Sequence, residues 1–258
     1  MAETKMNVQL LAHTQVSRSF LDTFVPCGDE KDGQVVALTA IRTCYSANKP
    51  TEIVAKEGTK YFGSKASDGG AGTDADRLFR HIFASKHTST LEHISFTFAI
   101  EGVSRALLAQ LTRHRAGFSF SVQSQRYVRM GRDDRSGGFD YVMPPTVTED
   151  KKVDHSPSLD FTHYISAVDH FGDAMEMIQD VYDELRSLGV PAEDARAVLP
   201  NAAATNLVMT ANLTALLSFY SKRKKGRGAQ AEITELAEAL RREVVAVEPW
   251  TDQFFEEV

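Results

Sequence analysis

Ile94, Phe96, Phe98 and Ile100 alternate with Ser95, Thr97 and Ala99, the two-residue period that gives a strand one apolar and one polar face. A looser alternation, Val8, Leu10 and Ala12 against Asn7, Gln9 and His13, predicts another strand over 6–14. Elsewhere the period lengthens. Tyr164, Val168, Phe171, Met175, Ile178, Tyr182 and Leu185 recur at intervals of three and four, which predicts a six-turn amphipathic helix starting at 164. Gly189 and Pro191 stop it, and Pro191 can open a short helix that carries Arg196 and ends near Pro200. Similar spacing predicts helices over 76–86 (Leu78, Ile82, Phe83), over 103–114 (Val103, Ala106, Leu107, Gln110) and from Ile233 to Val244. The second of these delivers Arg113 and His114 near a helix end, with Arg115 leaving as a loop. Residues 205–222 also read as helical, and 35–45 as a short helix or buried strand. Turn residues fill 26–34. The polar, glycine-rich 46–76 and the charged 131–154 read as loops, the first of them a mobile insertion. With no internal repeat and no long polar linker, the expectation is one α+β domain over 1–258: an antiparallel sheet flanked by long helices, with a predominantly helical second half.

Composition narrows the function classes. With 42% apolar residues in 258, the chain can bury a substantial core, and its formal charge of −6 argues against a broad nucleic-acid-binding face. Cys27 and Cys44 are too few for a disulfide scaffold and lack zinc or redox spacing. No segment looks like a secretion signal, and the apolar runs fall far short of the ~20 residues of a membrane span. The expected home is the cytoplasm, with no membrane partner.

Against this acidic background, residues 110–129 gather four arginines, one histidine, three serines and three glutamines, with no Asp or Glu between Arg105 and Asp133. Guanidinium groups meet phosphate in a two-point geometry, and Ser and Gln add neutral donors, so the stretch has the composition of an anion site rather than of a solvated ion-pair surface. Two other polar groups invite bland readings. His87, Glu92 and His93 lack zincin spacing, so no metal is expected, and a turn that caps the following strand suffices. The cluster Lys222, Arg223, Lys224, Lys225 and Arg227 suits a solvated helix end. There is no P-loop, GxGxxG or GxSxG, and neither cysteine has a neighbouring base.

Arg113-His114-Arg115, followed after a spacer by Ser124-Gln125-Arg126-Tyr127, resembles the Arg-His-Arg signature of the flavin-dependent thymidylate synthases. Three further segments are similar to that family in order: His87 to His93, Ala195-Arg196 to Leu199-Pro200, and Thr210-Ala211-Asn212 through Arg223. The resemblance implies an enzyme that converts dUMP to dTMP, with methylenetetrahydrofolate as carbon donor, FAD as cofactor and NADPH as reductant. It also implies a homotetramer with shared active sites. On the flavin side it places His87, Ser89, Glu92, Arg113, His114, Arg115, Asn212 and Ser218. For dUMP it names Gln110, Arg113, Ser124, Gln125, Arg126, Arg196 and Arg223, with Tyr127 following the motif. Ser124 and Arg223 carry the catalytic roles: a hydrogen bond to the pyrimidine, and stabilisation of negative charge at a uracil carbonyl.

The chemistry suits the composition, because a flavin can carry both the one-carbon unit and the hydride, and no cysteine nucleophile is then needed. The chain departs from the family pattern in three places. Eight residues rather than seven separate Arg115 from Ser124, Thr214 and Ser218 replace an arginine and an asparagine, and Cys44 replaces a serine. A noncatalytic nucleotide- or RNA-binding protein using the same arginines remains the rival reading. Steep salt dependence and an open aromatic face would mark it.

Overall fold

A computed structural model describes residues 1–154 and 164–258. In chain order these form β1 (Asn7–His13), α1 (Arg18–Leu21), α2 (Asp32–Tyr45), α3 (Ile53–Phe62), α4 (Asp74–Ala84), β2 (Ser95–Ser104), α5 (Arg105–Leu111) and β3 (Phe118–Val122). Then follow β4 (Lys152–Asp154), β5 (Tyr164–Ser166), α6 (Ala167–Ser187), α7 (Ala192–Ala195), β6 (Ala204–Asn212), α8 (Leu213–Arg223), α9 (Ala231–Val247) and α10 (Asp252–Glu257). The expected α+β class with an antiparallel sheet and long helices is what the chain adopts. Among the described residues no helix is long and apolar enough to cross a membrane.

Four strands pair antiparallel in the order β1-β2-β6-β3. On one face Phe96, Phe98, Ile100, Leu207, Met209 and Ala211 are buried in the main apolar cluster with residues of α2, α4, α5, α8 and α9. On the other, the Thr97 and Thr210 hydroxyls lie 2.9 Å apart, Ser119 and Ser121 face outward, and Val208 is 41% exposed. Burying one face only is what alternating strands encode.

β6 corrects the helical expectation for 205–222. Thr205, Leu207, Met209 and Ala211 are buried while Asn206 and Val208 are exposed, so the first half is a strand and the helix starts only at Leu213. Asn212 makes the change of direction, since its side-chain oxygen accepts from Ala215 N at 2.8 Å as an N-cap. β3 likewise replaces the expected loop after Arg115, with Phe118, Phe120 and Val122 packed on the core. α6 starts at Ala167 rather than 164, because Ser166 accepts from Asp169 N at 3.0 Å and caps it there. Tyr164 instead belongs to a two-stranded pairing with 152–154.

The expected mobile insertion over 46–76 is mostly ordered structure. Ile53, Val54, Tyr61 and Phe62 are buried on one side of α3, a helical spacing obscured by the polar residues between. What remains, 63–73, is fastened: Asp68 pairs with Arg80 Nη2 at 2.9 Å, and Ser67 donates to Asp74 at 2.9 Å. The Arg77 guanidinium beside it, helped by Ser67, holds the Asp74 carboxyl down to about 2.

A second apolar cluster lies under α6 and includes Met130, Phe139, Met175, Tyr182 and Ala195. Gln179, fully buried, donates to Met130 O at 2.9 Å and accepts from Phe139 N at 2.9 Å. α6 therefore seats the chain after Ser124, and the same helix packs against α7, which ends just before Arg196.

Candidate functional site

The segment 87–93 is a turn, as the bland reading had it, with a 3-10 helix at Thr88–Leu91 leading into β2. It nevertheless walls a cavity of about 750 Å³, where His87, Ser89 and His93 face Thr39, Thr43 and Cys44 of α2. His87 Nδ1 and the Tyr45 hydroxyl lie 2.9 Å apart. Thr214, the departure from the family's arginine, donates to Thr88 O at 2.8 Å and ties α8 to this turn. Glu92 is exposed at the turn's end. Cys44 bonds back to Ala40 O in its own helix, and Cys27 lies exposed near Thr59, so among the described residues neither sulfur is bonded to a base.

Arg113, His114 and Arg115 follow the α5 C-cap, Thr112, just beyond the helix that was expected to contain the first two. Arg113 and Arg115 are exposed, but His114 turns inward, its ring 5.0 Å from Phe219 and 6.1 Å from Phe118. Arg223 Nε, at the end of α8, donates to His114 Nε2 at 3.3 Å. A histidine that accepts there keeps its proton on Nδ1 and is neutral. Burial first, then the charges of Arg223, Lys222 and Arg113, holds the His114 pKa below the usual imidazole value. The unfolded chain takes up this proton at a higher pH than the folded one, so this group's cost to the fold is absent above the ordinary histidine range and grows as pH falls below it. Imidazole titration followed by NMR should therefore place His114 below the ordinary imidazole value, and Arg223→Ala should move it part of the way back.

Gly117, with φ +74°, turns the chain from Arg115 into β3. Its carbonyl accepts from Asn212 N at 3.1 Å, so the arginine loop rests on the start of α8. The Asn212 side-chain oxygen is committed to capping, and Ser218 lies exposed one turn further along.

Ser124 organises a compact turn: its carbonyl accepts from Val128 N at 2.8 Å and its hydroxyl oxygen from Arg126 N at 3.2 Å. Among the described residues no acceptor takes the hydroxyl proton. Gln125 is 7% exposed, and its buried Nε2 has no partner among the described residues. Arg126 pairs with Glu193 at 2.5 Å, and Arg196 Nε donates to the Glu193 carbonyl at 2.9 Å. Two arginines, 126 and 196, thus converge on one residue that the sequence reading passed over. Its only signal was an acid three positions before Arg196. Tyr127 is 78% exposed, and Gln110 is engaged with Gln230 at 2.5 Å. Among the described residues, no hydrogen bond or ion pair joins the Arg126–Arg196 group to the His114–Arg223 group within one chain.

A family model described as thymidylate synthase complementing protein matches residues 28–250. A flavin-dependent thymidylate synthase from Geobacter sulfurreducens is 39% identical over 218 residues, covering 84% of this chain and 80% of that protein. One from Nitratidesulfovibrio vulgaris is 36% identical over 248 residues, covering 93% and 82%. Among solved structures, a UMP/dUMP methylase from Streptomyces cacaoi bound with 5-Br dUMP has a similar fold, with TM-score 0.66 at 23% identity over 99% of this chain and 96% of that one. A thymidylate synthase X from Helicobacter pylori with FAD and dUMP gives TM-score 0.58 at 23% identity over 98% of each chain.

Proposed function

Because this chain belongs to the thymidylate synthase complementing protein family, we propose that it makes dTMP from dUMP as a flavin-dependent thymidylate synthase, with 5,10-methylenetetrahydrofolate as carbon donor and NADPH as reductant. FAD is its cofactor. The observation that carries the residue-level reading is the meeting of Arg223 with His114 across 109 positions of sequence. It joins the helix expected to end in the nucleotide-binding arginine to the flavin motif.

The residues present fit the flavin. The cavity of about 750 Å³ at His87, Ser89 and Cys44 is of ligand size, and the exposed Arg113 and Arg115 suit a pyrophosphate. His87, Ser89, Glu92, Arg113, His114, Arg115, Asn212 and Ser218 form the proposed FAD set. Bound FAD supplies the hydride and one-carbon chemistry that would otherwise call for a cysteine.

The protein's own residues bind, orient and polarise. Arg126 and Arg196, gathered at Glu193, take the nucleotide phosphate. Ser124 donates its free hydroxyl proton to the pyrimidine, with Gln125 and Gln110 alongside. Arg223 sits at a uracil carbonyl, where a fixed cation stabilises negative charge as C5 becomes nucleophilic. His114, neutral, leaves that cation its full effect while steering its guanidinium. Arg113 serves both ligands.

The assembly we propose is a cytoplasmic homotetramer whose active sites draw on more than one subunit. Two features favour it: the polar outer sheet face with Val208 41% exposed, and the absence of any described bond between the two arginine groups in one chain. Purified protein should be yellow with a flavin absorption band, and NADPH oxidation should accelerate on adding dUMP. Colourless protein that neither takes up FAD nor responds to dUMP would overturn the assignment.

A further inference from the structure

We propose that Glu193 is a built-in competitor for the nucleotide phosphate, its carboxylate closing Arg126 until a phosphate dianion displaces it. This rests on the reading that Arg126 and Arg196 hold the phosphate of dUMP.

Arg126 Nε meets Glu193 Oε2 at 2.5 Å, with 56% and 44% of the two side chains exposed, so water and ligand reach the pair. Arg196 Nε donates to the backbone carbonyl of the same residue at 2.9 Å, so one residue contacts both arginines, its carboxylate Arg126 and its carbonyl Arg196. Glu193 lies in the first turn of α7, beside Arg196 in the chain. The geometry is that of an anion already seated on one phosphate-binding arginine, Arg126, and supplied by the residue whose backbone carbonyl holds the other, Arg196.

The exchange is favourable for one class of ligand. A carboxylate offers one negative charge and two oxygens. A phosphate monoester near neutral pH approaches two charges and offers three oxygens, and guanidinium forks bind it bidentately. An exposed ion pair is weak enough to be displaced. The Arg126 guanidinium carbon also lies 5.6 Å from the Tyr127 ring centroid, a contact that keeps the arginine seated when the carboxylate leaves. Monoanions gain nothing by replacing Glu193, so the closed pair selects for the phosphorylated nucleotide. When product leaves, the carboxylate returns and Arg126 is not left unpaired.

Steady-state kinetics of the flavin-loaded enzyme tests this. Glu193→Gln removes the competing charge but keeps the shape, and should lower KM for dUMP by about two- to fivefold with kcat unchanged. Inorganic phosphate, as competitor, should inhibit at concentrations lower by about the same factor. Glu193→Ala should behave alike, so the result does not hang on one variant. Arg126→Ala and Arg196→Ala should each raise KM for dUMP by about tenfold or more.

If the arginine variants raise KM while Glu193→Gln leaves it unchanged or raises it, Glu193 only supports its arginine and the competitor proposal falls. The phosphate site would then still stand. If both arginine variants leave KM unchanged, the phosphate site itself is misplaced, and the competitor falls with it.

Discussion

Arg223→Ala should lower kcat/KM for dUMP by about a hundredfold or more, the usual effect of removing a fixed donor aimed at developing charge. Arg223 is well placed for this. It ends α8, whose buried Leu216, Leu217, Phe219 and Tyr220 fix the helix in the core, and its Nε is already spent on His114 at 3.3 Å. One hydrogen bond therefore aims the guanidinium, and its terminal nitrogens remain for a carbonyl. The His114 side of the contact is equally constrained, by Phe118 and Phe219. Because FAD is assigned to other contacts, flavin content should stay near that of the parent while dUMP turnover collapses. Equal loss of flavin and dUMP binding would mean that Arg223 serves the flavin instead. Arg223→Lys should recover little, since a point charge replaces a planar fork.

Gly117→Ala should destabilise the fold by about 3 kcal/mol and lower Tm by roughly 6–12 °C. Two costs combine there. The φ of +74° lies in the left-handed region that disfavours any Cβ. A Cβ would also stand 2.7 Å from both Ala215 Cβ and Asn212 Nδ2, at the capped start of α8. The loop carrying the three motif residues would have to lift off that helix, so flavin retention should fall with stability. Gly137 separates the two costs: its φ is +69°, but its Cβ would meet nothing within 4 Å. Gly137→Ala should cost only about 1 kcal/mol. Similar losses at both positions would mean that the packing of Gly117 on α8 contributes nothing.

The parts of the fold legible in sequence were those in which one period ran uninterrupted and one face was buried. β2 alternates cleanly because α helices cover one side only, and α6 repeats at three and four because it lies across a separate apolar cluster. β6 was illegible for the opposite reason. Leu207, Val208 and Met209 run together, so period two vanishes, and the segment passes straight into a true helix whose signal spread backwards. α3 was hidden by Lys56, Thr59 and Lys60 on its exposed side and by a glycine, Gly58, among its buried positions. In both cases tertiary burial, absent from any local window, decided the outcome.

The site divides similarly. The motif resemblance proposes a flavin group and a nucleotide group, yet nothing local could reveal that His114 would be half-buried against Phe219 while Arg113 and Arg115 stayed in solvent. Nor could spacing reveal that Arg126, on the loop after β3, would share Glu193 with Arg196. Between Arg115 and Ser124 the chain forms the paired strand 118–122, with the Ser124 turn beyond it. Thr214 fastens α8 to Thr88.

The most direct test is the product itself. The purified enzyme, supplied with FAD, dUMP, NADPH and methylenetetrahydrofolate labelled in its methylene carbon, should release dTMP carrying the label in its methyl group, and omission of the folate or the reductant should abolish it. A folded, flavin-loaded preparation that returns only unmodified dUMP would contradict the account.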